Sequence, residues 1–430
     1  NLQSTWNEDF VRTLFLAQDF KLGYYKARTD SLPDTVIVHH DFIPVSKIFH
    51  TMEGNIKSRR FIDYDNTRDY YAHNYVPYDS IDGTRYLHLR NTIGLTLIEG
   101  FNRWIPFGAS AYATHEYRQF ALPDSIGGVG PDHTHTYKEN NVLVGGNIRR
   151  TMGKAFLFNA TAETVLAGTD LGAFRIEGNA DLNFRLWKDT VRFRAEGYIK
   201  NVNPSFYYRH YHSEHFWWDN DLAKEFKTRI EGSIEIPFTR TRLDAKLENV
   251  KNYTYIANEA VEETPGRFLN RFNIAQANEN IQVLTAALKQ DFVFGIFNFN
   301  TEITYQFSSN KEILPLPMLN LYANMFIKFR IAKVLHTEIG ADVRYFTEYY
   351  APDYSPALGQ FVQQNQADKV AIGNYPISSA YANFLLKQTR FYVKYHHANE
   401  GLGNMRHFLV PHYPTTKGVL WLGLSWNFYN

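Results

Sequence analysis

Three histidines and a glutamate crowd one short stretch: His210, His212, His215 and Glu214. Neutral imidazole is a common metal ligand, and His210 and His212 would share one face of an extended segment, so metal coordination is the chemistry on offer. His133 and His135 with Asp132, and the pairs His39-His40 and His396-His397, invite the same reading. None of these groups makes a closed ligand set, and all lie in or beside polar connecting stretches. Solvated loop histidines are expected, with no metal and no other cofactor. Carboxylates are too plentiful for any pair to stand out in acid–base work. Gly-x-Ser-x-Gly, His-Glu-x-x-His, a phosphate loop and a nucleotide fingerprint are all missing. The expectation is a protein that is not an enzyme.

The charged residues follow a period of two. Arg175, Glu177, Asp181 and Arg185 alternate with Ile176, Ala180, Leu182 and Phe184. Arg192, Arg194 and Glu196 alternate with Val191, Phe193 and Ala195. Arg229 and Glu231 flank Ile230, while Arg242 and Asp244 flank Leu243. Lys328, Arg330, Glu338, Asp342 and Arg344 take the polar side of two later segments, 319–331 and 335–347. Successive side chains point to opposite faces of a strand, whereas a period of two smears around a helix. These segments are strands with one apolar and one charged face.

The segments run about 10 to 15 residues, enough to cross a bilayer at a tilt and longer than ordinary soluble strands. Connections between them alternate in length. Short ones fall at 101–104, 151–154, 187–190, 238–240, 291–295, 331–333 and 386–390, long ones at 120–137, 202–221, 257–274, 308–319, 350–376 and 399–417. Short turns at one end and long loops at the other describe an outer-membrane barrel. The expected fold is all-β, a transmembrane antiparallel up-and-down barrel of about 16 to 18 strands, built as one domain over residues 1–430. Within it, one opening strand lies around 14–25 and a charged break follows. Pro44 should interrupt the stretch 36–45. Aromatics near strand ends, among them Phe206, Tyr208, Tyr211, Trp217, Tyr392 and Tyr395, suit an interfacial girdle.

Composition agrees. Mean hydropathy is −0.39, and no run approaches the roughly 20 apolar residues of a membrane helix; alternating strands average out to polar in the same way. The absence of cysteine excludes disulfides and thiolate chemistry. A net charge of +1 gives no electrostatic case for binding nucleic acid. A barrel this wide cannot fill its interior with side chains, so the charged rows named above line water, and Leu, Ile, Phe and Ala face lipid. Both signs interleave along each row. Such ladders brace a wall, at about 0.2–1 kcal/mol per cross-strand pair, rather than select one ion sign.

The last segment, 418–429, carries Leu420, Leu422, Leu424, Trp426 and Phe428 on one face. Gly423-x-x-Trp426-x-Phe428 resembles the terminal signal read by the machinery that inserts outer-membrane barrels. Further stretches carry a family likeness. Asp41-Phe-Ile-Pro-Val45 with Phe49-His-Thr51, Tyr78-Asp-Ser80, Asn91-Thr-Ile-Gly-Leu95 with Glu99-Gly-Phe-Asn-Arg-Trp104, and Leu122-Pro-Asp-Ser125 resemble, in order and spacing, the putative porin family of Bacteroidota. The resemblance implies an outer-membrane β-barrel and names no solute. Family members carry further strands before the equivalent of Asn1. An odd strand count would place the two chain ends on opposite sides, so a further strand is expected between the first and the last.

The function expected is a porin or passive channel for small polar solutes in the outer membrane of a Gram-negative bacterium. The rivals are a structural or accessory barrel of a larger outer-membrane complex, its lumen plugged by loops, and an outer-membrane enzyme. Expected partners are outer-membrane lipid and lipopolysaccharide, the barrel-insertion machinery, and a homo-oligomer or other outer-membrane proteins.

Overall fold

The computed structural model describes residues 4–32, 35–64, 70–75, 81–101, 105–123, 134–186, 189–403 and 407–428. Asp132, His133, the 78–80 motif, and residues 102–104, 125 and 187–188 lie outside them. Among the described residues, seventeen strands form a single antiparallel sheet. They are β1 Thr5–Leu32, β2 Thr35–Asp63, β3 Ile81–Leu97, β4 Gly108–Pro123, β5 Thr134–Arg150, β6 Phe156–Gly168, β7 Phe174–Leu186, β8 Asp189–Val202, β9 Glu225–Ile236, β10 Thr241–Lys251, β11 Ile281–Phe294, β12 Phe297–Ser308, β13 Leu319–Ile331, β14 Leu335–Phe346, β15 Ile377–Leu386, β16 Thr389–His396 and β17 Val419–Trp426. Each strand pairs with the one before and the one after it, an up-and-down meander. Among the described residues, β1 pairs only with β2 and β17 only with β16.

Register follows the period-two pattern. Glu231 of β9 faces Lys246 of β10, and Ile230 faces Leu247. Polar therefore meets polar and apolar meets apolar, as a single-residue slip would forbid. The apolar face stays open along the wall, with Ile230, Leu243, Leu284, Ile303, Met325 and Ile339 all exposed. The polar face carries Arg59, Tyr86 and Phe120, and these touch a packed mass of connecting loops. Those loops come from strands far apart in the sheet, so the wall must curve around them. The polar face is the inner one.

Connections alternate as the sequence indicates at most steps: short after β1, β5 and every second strand onward, longer after β2, β4 and their successors, while the link after β3, residues 98–107, is as long as the one after β4. The link from β6 to β7, residues 169–173, is the shortest at the long-loop end. At the opposite end the Glu99 carboxylate accepts hydrogen bonds from Thr151 N (2.7 Å), Thr151 Oγ1 (2.8 Å) and Met152 N (2.7 Å), tying two turns together.

The opening hairpin departs from expectation. No charged break ends β1, which runs 28 residues, and β2 runs 29, straight through Pro44. The reason is a bulge: register shifts between Leu22 and Gly23, so that Gly23 pairs with Pro44 and Leu22 with Ser46. A Cβ on Gly23 would sit 2.1 Å from the Ile43 carbonyl oxygen, so only glycine fits there. Pairing with β3 begins at Ser46, which leaves Pro44 on a stretch where a missing N–H costs no ladder bond.

Several glycines answer to aromatic rings, Gly94 against Phe49 among them. Gly145 pairs with Tyr112 and Gly423 with Tyr392. A Cβ at either would meet the partner ring, at 2.6 and 2.1 Å. The rings lie flat over their glycines and cover backbone that would otherwise be bare.

One outcome follows from the two faces. Arg at Ile303, on the outer face of β12, should destabilise the barrel in lipid vesicles by about 2–4 kcal/mol, while Arg at Asn300, on the inner face, should cost little. Urea unfolding of both variants checks it; equal costs would contradict the assignment.

Candidate site beneath the loop core

The apolar core of this protein lies at the long-loop end of the wall. Phe61, Tyr71, Phe120, Leu122, Phe206, Tyr211, Phe216, Trp218, Ile256, Phe272 and Leu358 are buried against one another. They come from strand ends and four connections: 64–80, 203–224, 252–280 and 347–376. Backbone hydrogen bonds stitch those connections together. Ala72 N donates to Asn270 O (3.0 Å), Tyr75 N to Glu214 O (2.7 Å) and Gln363 N to Ile256 O (2.9 Å). Phe120 and Phe206 stack at 3.7 Å between ring centres. The aromatics at 206–218, expected at a lipid interface, instead build this core. Nearness to a strand end does not say whether a ring turns outward or folds over the mouth.

Arg59, on the inner face of β2, reaches into the core. Its guanidinium donates to Asn7 Oδ1 (2.5 Å), Pro356 O (3.1 Å), Ala357 O (2.7 Å) and Tyr211 Oη (3.4 Å). One side chain thus pins two distant connections to the wall. A cavity of about 420 Å³ lies beside it, between β1–β3 and the underside of the loops. Phe10, Tyr86, Tyr207, Tyr208, Tyr211 and Trp218 line it with rings, and Asp9, Lys57 and Gln360 are among its polar groups. In the sequence Tyr208 and Tyr211 read only as girdle rings, and nothing there joined this group, because its members converge from five separate segments. Below, on β4 and β5, Arg118 pairs with Glu139 (3.1 Å) and Asp170, and Arg209 of the loop core reaches the same Glu139 at 2.7 Å.

The histidines of the 210–215 stretch correct another expectation. His212, Glu214 and His215 are buried rather than solvated. His212 stacks on Trp217 at 4.0 Å and His215 on Tyr71 at 4.3 Å. Asp219 bridges His210 Nδ1 (2.7 Å) and His212 Nε2 (3.0 Å). His397 is likewise enclosed, between Tyr375 Oη and Thr416 O, both at 2.9 Å. Among the described residues, no three His, Cys, Asp or Glu side chains gather as a metal cage.

The charged residues singled out in the sequence share the inner face by register and form a ladder around it. Arg194 approaches Asp181 (3.9 Å) and Glu196 (3.3 Å), Lys200 pairs with Glu177 (3.2 Å), and Arg229 joins Glu196 (3.1 Å) and Glu231. Arg192 reaches Glu235 (3.5 Å), Arg242 holds Asp244 (2.8 Å), and Lys328 meets Glu338 (3.4 Å). Lys394 pairs with Asp342 at 3.0 Å, and Arg344 lies over the Tyr322 ring. Arg175, Arg185 and Arg330 enter no ion pair among the described residues. Gly423 faces inward beneath Tyr392, while Trp426 and Phe428 sit outside with ring centres 4.8 Å apart.

Burial works against the Asp219 charge, but hydrogen bonds from His210 and His212 outweigh it and hold the carboxyl below its ordinary range. A depressed folded value stabilises the loops fully above the unfolded value, about 3.9, and that contribution is lost as pH falls through the folded one. Tryptophan fluorescence should therefore report loosening of the loop core below about pH 4. Asp219→Asn should remove that acid-dependent step; an unchanged acid transition in the variant would contradict the role.

The wall geometry is shared with large barrels. The siderophore receptor PirA from Acinetobacter baumannii is 8% identical, with a TM-score of 0.53 over 83% of this chain and 59% of that one. The ferric enterobactin receptor PfeA from Pseudomonas aeruginosa is 9% identical, with a TM-score of 0.54 over 83% of this chain and 57% of that one. At such identity the likeness concerns the fold alone, and this chain spans less than two thirds of either receptor's length. No curated protein sequence matches. A family model described as "Putative porin" matches residues 1–430, and the chain belongs to that family.

Proposed function

We propose that the chain is a porin of a Gram-negative outer membrane, passing small polar solutes along its inner face, with the loop core narrowing the outer mouth. The observation that carries this reading is the inner row of both charge signs, left open to solvent at Arg192, Arg194 and Arg242 rather than packed away. Groups that keep their water line a wet passage at little desolvation cost. Interleaved signs favour neither cations nor anions. In this reading the apolar outer face meets lipid and lipopolysaccharide, the long loops lie outside the cell, and Gly423, Trp426 and Phe428 are read by the insertion machinery.

One observation favours a second reading, an accessory barrel with a plugged mouth: the loops are stitched across the opening by backbone hydrogen bonds and a shared aromatic core. Single-channel conductance in planar bilayers separates the two. The wild-type chain should conduct weakly. Arg59→Ala removes hydrogen bonds from a charged donor, worth about 1.5–3 kcal/mol each, and should raise the conductance by loosening the cap. Silence from both proteins would favour the plugged accessory barrel.

A further inference from the structure

The cavity beside Arg59 has a composition that fits one class of ligand. Six aromatic residues line it, and four of them are tyrosines. The rings are held from behind. Tyr86 stacks on Phe120 at 4.8 Å, Tyr211 leans on Trp218 at 5.2 Å, and Trp218 Nε1 donates to Tyr207 O at 3.0 Å. They form a fixed apolar surface rather than a surface that must be ordered on binding.

Both charge signs stand around the space, Lys57 and Arg59 against Asp9. The Arg59 guanidinium has already committed hydrogen bonds to Asn7, Pro356, Ala357 and Tyr211. An anion would face Asp9, and a cation would face Lys57 and Arg59. A purely apolar guest would strip water from Asp9, Lys57, Gln360 and the phenols without replacing it. What remains is a neutral ring compound with apolar faces and a rim of hydroxyls that both donate and accept.

We propose that this cavity binds a short neutral oligosaccharide, its C–H faces on the tyrosine and tryptophan rings and its hydroxyls on Asp9, Lys57 and Gln360. The cavity volume falls within the range of about 300–1,000 Å³ typical of ligand pockets. Its place, between the loop core and the inner wall, puts a bound sugar on the path that the porin reading requires. The solute class named here rests on that reading for its purpose but not for its test.

Binding is measured by calorimetry on the purified chain in a detergent without a sugar headgroup, with maltotriose and xylotriose as probes and benzoate and choline as charged controls. At least one trisaccharide should bind saturably and more tightly than either control. Tyr207→Ala should weaken binding about tenfold, equivalent to roughly 1.4 kcal/mol, while Tyr207→Phe should retain it. Heat-modifiable migration on gels confirms that each variant is folded, and Gln360→Ala serves in place of any variant that is not. Folded protein that binds neither trisaccharide, a control that binds better, or binding indifferent to both Tyr207→Ala and Gln360→Ala would overturn the proposal. A chain that conducts but binds no trisaccharide sinks this proposal alone; one that binds but never conducts keeps it and sinks the channel reading.

Discussion

Backbone hydrogen bonding in a medium without water governs this chain. Every N–H and C=O crossing hydrocarbon needs a partner within the protein, at several kcal/mol for each one left bare. A meander in which each strand pairs with its sequence neighbours meets that demand between β1 and β17 with short turns and local pairing, and leaves, among the described residues, only the outer edges of those two strands without a partner strand. Even the departures serve pairing. The bulge at Gly23 lets β2 continue through Pro44, and the rings of Tyr112 and Tyr392 cover the backbone at Gly145 and Gly423.

A sheet of this width cannot be filled by its own side chains, and that decides where the core goes. Buried apolar side chains concentrate at the long-loop end, where four connections supply enough aromatic surface to exclude water. Along the wall the inner face stays polar and partly wet. Its ion pairs are worth little singly, about 0.2–1 kcal/mol each, so their effect is to hold register and shape rather than to drive folding. In the proposed channel the same division separates the roles: the ladder offers the polar path, and the loop core with Arg59 sets how open the mouth is.

The wall was legible because its signal is local. Arg175, Glu177 and Asp181 against Ile176, Ala180 and Leu182 reveal a two-faced strand without knowledge of its neighbours. The alternation of short and long connections then orders the strands. The loop core was illegible for the opposite reason. Phe120 and Phe206, or Arg59 and Pro356, meet only after the wall has curved, and no period or spacing in the sequence connects them. Hence rings at 206–218 read as a girdle, and buried histidines such as His212 and His215 read as solvated. Pro44 misled differently: its missing donor matters only where a second neighbour pairs, and β3 begins to pair just beyond it, at Ser46.

The chain contains no cysteine, so single cysteines can report on each face without background. Cysteines placed one at a time at positions 230–235 of β9, in protein reconstituted into lipid vesicles, can be exposed to a membrane-impermeant maleimide. The account predicts labelling at Glu231, Ser233 and Glu235 and protection at Ile230, Gly232 and Ile234. Uniform labelling, or the reverse alternation, would contradict a wall with water on its polar face and lipid on the other.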